Sequence, residues 1–160
     1  VPTRTACDLL PETVAVLSKI DNIVGIKEAS PDPERISQLK QNIRDKDFLL
    51  YSGDDLSAYN FLNEGGHGTI SVTANIVPKE IAEICNFILN GKSEEGKKLD
   101  LKLKSLHEAL FIETSPIPVK WVLNRLGRIP TGIRLPLTTL DGSFTDEIEQ
   151  ILDDLNLINN

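Results

Sequence analysis

Apolar and polar positions along the chain fall into two successive patterns. As far as about residue 91, short unbroken apolar runs alternate with stretches in which apolar residues return every three or four positions. The runs are Ile23-Val24-Gly25-Ile26, Phe48-Leu49-Leu50-Tyr51 and Thr69-Ile70-Ser71-Val72. Short continuous runs rich in β-branched residues predict strands buried on both faces. Before the first lies a predicted helix with apolar positions at Leu9, Leu10, Val14, Val16 and Leu17. Asp8 is placed to cap it and Pro11 to sit in its first turn. Ser30-Pro31-Asp32-Pro33 opens a second helix with Ile36, Leu39 and Ile43 on one face, and Asp45-Lys46-Asp47 closes that unit. A short third helix through Leu56, Tyr59, Phe61 and Leu62 stops at Gly65-Gly66. Val1 to Ala6 reads as a loop.

From about Val77 the apolar period is helical only. Pro78 opens a helix carrying Ile81, Ile84, Cys85, Phe87, Ile88 and Leu89, which stops at Asn90-Gly91. A longer helix follows, with Ser93 as its expected cap, early acids at Glu94 and Glu95, and Leu99, Leu103, Leu106 and Leu110 on its apolar face. Ser115-Pro116-Ile117-Pro118 breaks the chain, Val119 to Leu126 gives another short helix, Ile133 to Leu137 is extended, and a last amphipathic helix runs from about Asp146 to Leu155. The expected division is residues 1–91 for the strand-and-helix part and 92–160 for a helical domain.

Strands that recur at intervals of about twenty to twenty-five residues with helices between them are βα units of a parallel sheet. Right-handed crossovers bring their carboxyl ends to one face, where sites gather in such folds. Lys27, Ser52 to Asp55 and Ser71 to Thr73 would emerge there. Three strands are few for a covered parallel sheet, whereas a closed barrel takes about eight strands and about 250 residues. The fold class expected is therefore α/β: the carboxyl-terminal part of a (β/α)8 barrel followed by a helical carboxyl-terminal domain. A small open sheet capped by the tail is the alternative.

Composition narrows the function. The net charge is −7, from 17 Lys and Arg against 24 Asp and Glu. With no basic stripe, nucleic acid is not the expected partner. No run of eighteen apolar residues predicts a membrane span. Two cysteines without paired spacing, Cys7 and Cys85, are expected to be reduced thiols in apolar helical settings, which suits the cytoplasm. His67 and His107 form no ligand-like pattern, so no metal site is expected. The absence of methionine and the turn-like opening at Val1 fit a chain that begins partway through a larger protein.

The residue that stands out is Lys27, at the carboxyl end of the first apolar run. Lysine is among the residues least often found inside such an element. If the amine points inward, burial disfavours the ammonium, and a neutral amine can attack a carbonyl to form a Schiff base. Alternatively the strand ends at Lys27 and the side chain reaches water; this stretch alone leaves both readings open.

Five motifs in one order carry a resemblance: Val1-Pro2-Thr3-Arg4-Thr5, Gly25-Ile26-Lys27-Glu28-Ala29, Ser52-Gly53-Asp54-Asp55, Gly66-His67-Gly68-Thr69-Ile70-Ser71-Val72 and Pro116-Ile117-Pro118-Val119-Lys120. The chain resembles the carboxyl-terminal half of the dihydrodipicolinate synthase (4-hydroxy-tetrahydrodipicolinate synthase) family, pyruvate-dependent class I aldolases on a (β/α)8 barrel. The resemblance implies condensation of pyruvate with aspartate semialdehyde in lysine and diaminopimelate biosynthesis. It implies no cofactor beyond the covalent Schiff base, and a homo-oligomer, dimer or tetramer. Lys27 matches the Schiff-base lysine. Arg4 matches the arginine that binds the carboxylate of the second substrate, Ile70 a position whose carbonyl lies near pyruvate, and Gly53 a backbone position lining the pocket. On the residues alone, Arg4 could as well be a solvated loop arginine, Ile70 barrel filling and Gly53 a plain turn glycine. Asp54 and Asp55 are expected to be a helix cap and solvated charge.

The resemblance also marks what these residues lack. The family's proton-relay tyrosine and its threonine pair belong to segments before position 1, and Tyr51 and Tyr59 do not match them. The fragment is therefore expected to be inactive without an amino-terminal half. The alternatives are another pyruvate-dependent aldolase, of the N-acetylneuraminate lyase or keto-deoxy acid type, and a non-catalytic truncated paralogue.

Overall fold

The computed structural model describes residues 1–30, 32–44 and 47–158. The expected turn at Pro31 and the break at Asp45-Lys46 lie outside these residues. Strands β1 (Gly25–Glu28), β2 (Leu49–Ser52) and β3 (Gly68–Thr69) form one parallel sheet in the order β1-β2-β3. The register sets Lys27 beside Tyr51 and Tyr51 beside Gly68. Residues in register share a face of a parallel sheet, so Lys27 and Tyr51 lie on one side, while Ile26 and Leu50 lie on the other.

That second side carries helices α2 (Pro11–Leu17), α3 (Arg35–Asn42) and α4 (Ala58–Asn63). Val14, Ile36, Leu39, Phe48, Leu50 and Phe61 are buried together there, with Ile23, Ile26 and Ile43 against them. The expected alternation of strand and helix is the observed one. The side bearing Lys27 and Tyr51 carries no comparable layer among the described residues, and Lys27 and Ile70 are exposed. The burial expected for an inward-pointing Lys27 is therefore absent from this chain, because three strands do not close around it.

The helical part forms a second core. Helices α5 (Pro78–Leu89), α6 (Ser93–Ala109), α7 (Ile117–Arg125) and α8 (Thr145–Asp154) bury Ile84, Leu106, Leu110, Val122, Ile148 and Leu152 in one cluster. Leu62, Ile76 and Val77 join the same cluster, so the β-containing segment and the helices share it.

The structure departs from the expected elements at five points. Val1 to Ala6 is not a loop: Pro2–Thr5 form a short helix α1, for which a proline in the first turn is already shaped. The third strand stops at Thr69, because after Ile70 the Ser71 hydroxyl accepts the Ala74 amide at 2.9 Å and turns the chain into a 3₁₀ turn at Thr73–Asn75. Asp8 does not cap α2; its carboxylate is taken by Arg35. Ser93 is not the cap of α6, since its hydroxyl bonds Tyr59 and Asn63 instead. Cys7 lies exposed outside any helix rather than in an apolar helical setting, and Cys85, in α5, is half-buried, with burial pushing its thiol upward.

Candidate active site

β1 delivers Lys27 to the carboxyl-terminal edge of the sheet. The next strand end receives its stem. Gly53 follows Ser52 at the end of β2, and its amide donates to the Glu28 carbonyl at 2.6 Å. A Cβ at Gly53 would stand 2.5 Å from Lys27 Cε, 2.9 Å from Cγ and 3.0 Å from the Ala29 Cβ. Only glycine leaves this path open, so Gly53 is shaped by the lysine that lies across it.

The loop beyond Gly53 is tied at several points. The Asp54 amide donates to the Ser52 hydroxyl at 3.3 Å, and the Asp54 carboxylate accepts from the Ser57 amide at 3.0 Å and the Ser57 hydroxyl at 2.6 Å. Asp54 is thus not the expected cap: the N-cap of α4 is Ser57, without a side-chain cap bond, and the Asp54 carboxylate ties the turn that leads into it. Asp55 differs from the expectation of solvated charge. It is buried, and its carboxylate accepts the Val72 and Thr73 amides at 2.9 and 3.2 Å. Two amides satisfy an anion that burial would otherwise penalise, and the ends of β2 and β3 are locked together.

Lys27, Gly53 and Arg4 line one cleft of about 1200 Å³. Arg4 enters from α1, in the last turn of that helix. Asp54, Leu56, Ser57 and Val72 form part of the floor, and Phe111 to Ser115, between α6 and α7, form the far wall. Ile70 is not among the lining residues. It sits exposed just past β3, its amide donating to the Ser52 carbonyl at 2.8 Å. Three of the four expected site residues are therefore gathered in the cleft and the fourth is not.

Sequence reasoning missed the wall at Phe111–Ser115. Its Glu113 carboxylate accepts the Asp141 amide at 2.9 Å, which fixes the wall to the carboxyl-terminal segment. The neighbouring Pro116-Ile117-Pro118-Val119-Lys120 motif was the available signal, since it marks the segment without giving its residues a role. Among the described residues no group of three or more His, Cys, Asp and Glu side chains is arranged to hold a metal ion. No helix there is long and apolar enough to cross a membrane.

The cleft couples an amine at a strand end, a guanidinium able to grip a carboxylate with two hydrogen bonds, and carboxylates at Asp54 and Glu113. Such a site defines a class: a parallel α/β protein whose carboxyl-terminal face presents a lysine at a strand end. Comparison with known proteins narrows the class. The dihydrodipicolinate synthetase family matches residues 1–155, and the chain belongs to that family. It is 49% identical over 158 residues to the 4-hydroxy-tetrahydrodipicolinate synthase of Saccharophagus degradans, covering 99% of this chain and 54% of that protein. The corresponding Pseudomonas aeruginosa protein is 47% identical over 95% of this chain and 52% of its own length.

Among solved structures, dihydrodipicolinate synthase from Thermotoga maritima superposes with a TM-score of 0.95 at 38% identity, covering 99% of this chain and 55% of that one. The Acinetobacter baumannii synthase complexed with pyruvate gives 0.90 at 42% identity, covering 99% of this chain and 54% of that one. The chain thus spans about half the length of the relatives it matches. Its fold is α/β, part of a (β/α)8 barrel continued by helices.

Proposed function

We propose that the chain supplies the nucleophile-bearing part of a 4-hydroxy-tetrahydrodipicolinate synthase. The observation that carries this reading is the meeting of Lys27, Gly53 and Arg4 in one cleft of a chain belonging to the family. In this reading the neutral Lys27 amine attacks the ketone carbon of pyruvate. The adduct loses water to give an iminium ion, and loss of a proton from the methyl group gives an enamine. The enamine carbon bonds to the aldehyde carbon of aspartate semialdehyde, whose oxygen takes up a proton. The substrate's amine then attacks the former ketone carbon, closing the ring and expelling Lys27. Pyruvate is consumed as substrate and no separate cofactor takes part.

Arg4 holds the carboxylate of the semialdehyde, Gly53 keeps the path of the lysine stem open, and the Ile70 carbonyl faces pyruvate in the closed barrel. Residues 1–91 belong to the barrel and 92–160 to a helical domain whose Phe111–Ser115 segment walls the cleft. The exposed side of β1-β2-β3 is covered by an amino-terminal half that also brings the acid–base relay. The assembly works in the cytoplasm as a homo-oligomer. The 160 residues alone have no turnover.

Borohydride trapping with pyruvate on the complete barrel, followed by peptide mapping, tests this reading. A reduced pyruvyl adduct on Lys27, absent from Lys27→Arg, is the expected result; no adduct on the folded barrel overturns it. Steady-state rates with aspartate semialdehyde, N-acetylneuraminate and keto-deoxy acids then separate the synthase from other pyruvate-dependent aldolases.

A further inference from the structure

Behind the lysine strand lies a charge cluster to which the chemistry above gives no role. Arg35, in the first turn of α3, is buried. Its guanidinium donates to both Asp8 carboxylate oxygens, at 2.6 and 3.1 Å, and to the Leu9 carbonyl at 3.4 Å. A Glu28 carboxylate oxygen lies 3.7 Å from the same guanidinium and an Asp32 oxygen 3.9 Å away. Glu28 is also buried; it directly follows Lys27, and its other carboxylate oxygen accepts the Ser30 amide at 2.6 Å. Ser30 in turn lines the cleft.

The positions of these partners matter. Asp8 closes the segment that begins with the Arg4 helix. Glu28 ends the strand that carries Lys27, on the sheet side opposite the amine. One guanidinium therefore grips the two segments that must hold their distance for a carboxylate on Arg4 to present its aldehyde to an enamine on Lys27. A cation on a surface helix has no need of such burial. Burying Arg35 is costly unless its donors are met, and its Nε–H has no hydrogen-bond partner. Packing alone gives no reason for an arginine at this place.

Resting on the reading of Lys27 as the imine-forming lysine, we propose that Arg35 is a positioning residue that sets both the reach of Arg4 and the charge felt by Lys27. Through Asp8 it fixes the Arg4 segment. Through Glu28 it neutralises the carboxylate nearest in sequence to the amine. The other charged groups around Lys27 are Arg4, Asp54 and Glu113 in the cleft and Asp8 and Asp32 in the cluster. Removing Arg35 makes this set more negative, which favours the Lys27 ammonium and leaves less free amine at a given pH.

The test uses the complete barrel and reads the rate of borohydride-trapped pyruvyl adduct on Lys27 against pH, together with KM and kcat for the semialdehyde. Arg35→Gln is expected to move the half-maximal trapping pH upward and to slow trapping near neutrality by about three- to tenfold. The double variant Arg35→Gln with Glu28→Gln returns the pH profile toward the parent, which lost packing could not do. Asp8→Asn and Arg35→Lys are expected to raise KM for the semialdehyde more than they lower kcat.

Folded Arg35→Gln with the parent's pH profile and KM overturns the proposal while leaving the lysine chemistry standing. If Arg35→Gln does not fold, Arg35→Lys and Asp8→Asn decide: parental KM in both overturns it. A parent barrel without an adduct on Lys27 sinks the imine reading and this inference together.

Discussion

The stem of Lys27 and the backbone of Gly53 are packed as one unit, and this makes Gly53 the sharpest single-residue probe of the site. A methyl at position 53 would stand within 3.0 Å of two carbons of the lysine stem and touch Ala29. Contacts that short force one partner to move, and the stem is freer to move than the backbone held by the Glu28 carbonyl. Gly53→Ala is thus expected to swing the amine off its line, lowering the trapping rate by at least about tenfold, since small misplacements at a reacting centre are costly. Near-native thermal stability should accompany that loss. Trapping at the parental rate in Gly53→Ala would mean that the lysine reaches its substrate by another path. The apolar run that Lys27 closes drew attention to it but left both readings open, and it was the family resemblance that singled it out. The shape of Gly53 was not legible in the sequence, because whether a glycine is a turn or a passage depends on which side chain crosses it, and that is fixed by sheet register.

At the scale of elements, α3 is tied to the segment before α2 by an ion pair. The guanidinium of Arg35 beside Asp8 holds its carboxyl below the usual carboxylate range. A depressed native pKa adds stability above the unfolded carboxylate value, about 3.9, and that stability is lost as pH falls through the lower native value. Asp8→Asn should therefore unfold at lower denaturant than the parent near neutrality, and the gap should narrow below about pH 4 as the parent's own carboxylate protonates. A gap that stays constant across that range would show that the ion pair adds nothing to folding. The sequence pattern could not distinguish a cap from a long-range partner at Asp8. An acid before a helix satisfies both rules, and only the fold brings a residue 27 positions away into competition for it.

Helices α5 and α6 meet at Gly96, where a Cβ would lie 2.8 Å from Ile88 Cγ1. Alanine gains about 1 kcal/mol in helix propensity, whereas forcing a methyl into a filled contact costs about 1–3 kcal/mol. Gly96→Ala is expected to lower stability on balance, and its cost to be smaller in an Ile88→Ala background, as a double-mutant cycle from denaturant melts would show. The helices themselves were legible from apolar spacing alone, including α5, α6 and α8. Their separation was not, because it depends on one small residue that periodicity ignores. The short third strand escaped for a related reason. Its apolar run continues past Thr69, but the Ser71 hydroxyl offers the backbone a turn instead of a ladder.

For the whole molecule the decisive feature is the uncovered side of the sheet. Lys27 and Ile70 stand exposed on or beside a parallel sheet whose other side packs against α2, α3 and α4. Parallel sheets occur with both faces covered. Closing that side would bury Lys27 and Ile70, and burial is what turns a lysine into a free amine near neutrality. In the function proposed above, the same closure completes the fold and buries the amine. Two measurements follow. The 160-residue chain alone should give no turnover of pyruvate and aspartate semialdehyde. Co-expression with the first half of a family barrel should yield a complex that co-purifies and turns over, with activity lost again on Lys27→Arg. Trapping rate is the finer gauge, since the isolated chain should form the pyruvyl adduct at a higher pH than the complex. Equal pH profiles for the two would show that the lysine needs no closed barrel, and synthase turnover by the purified 160 residues would overturn the division of labour between the halves.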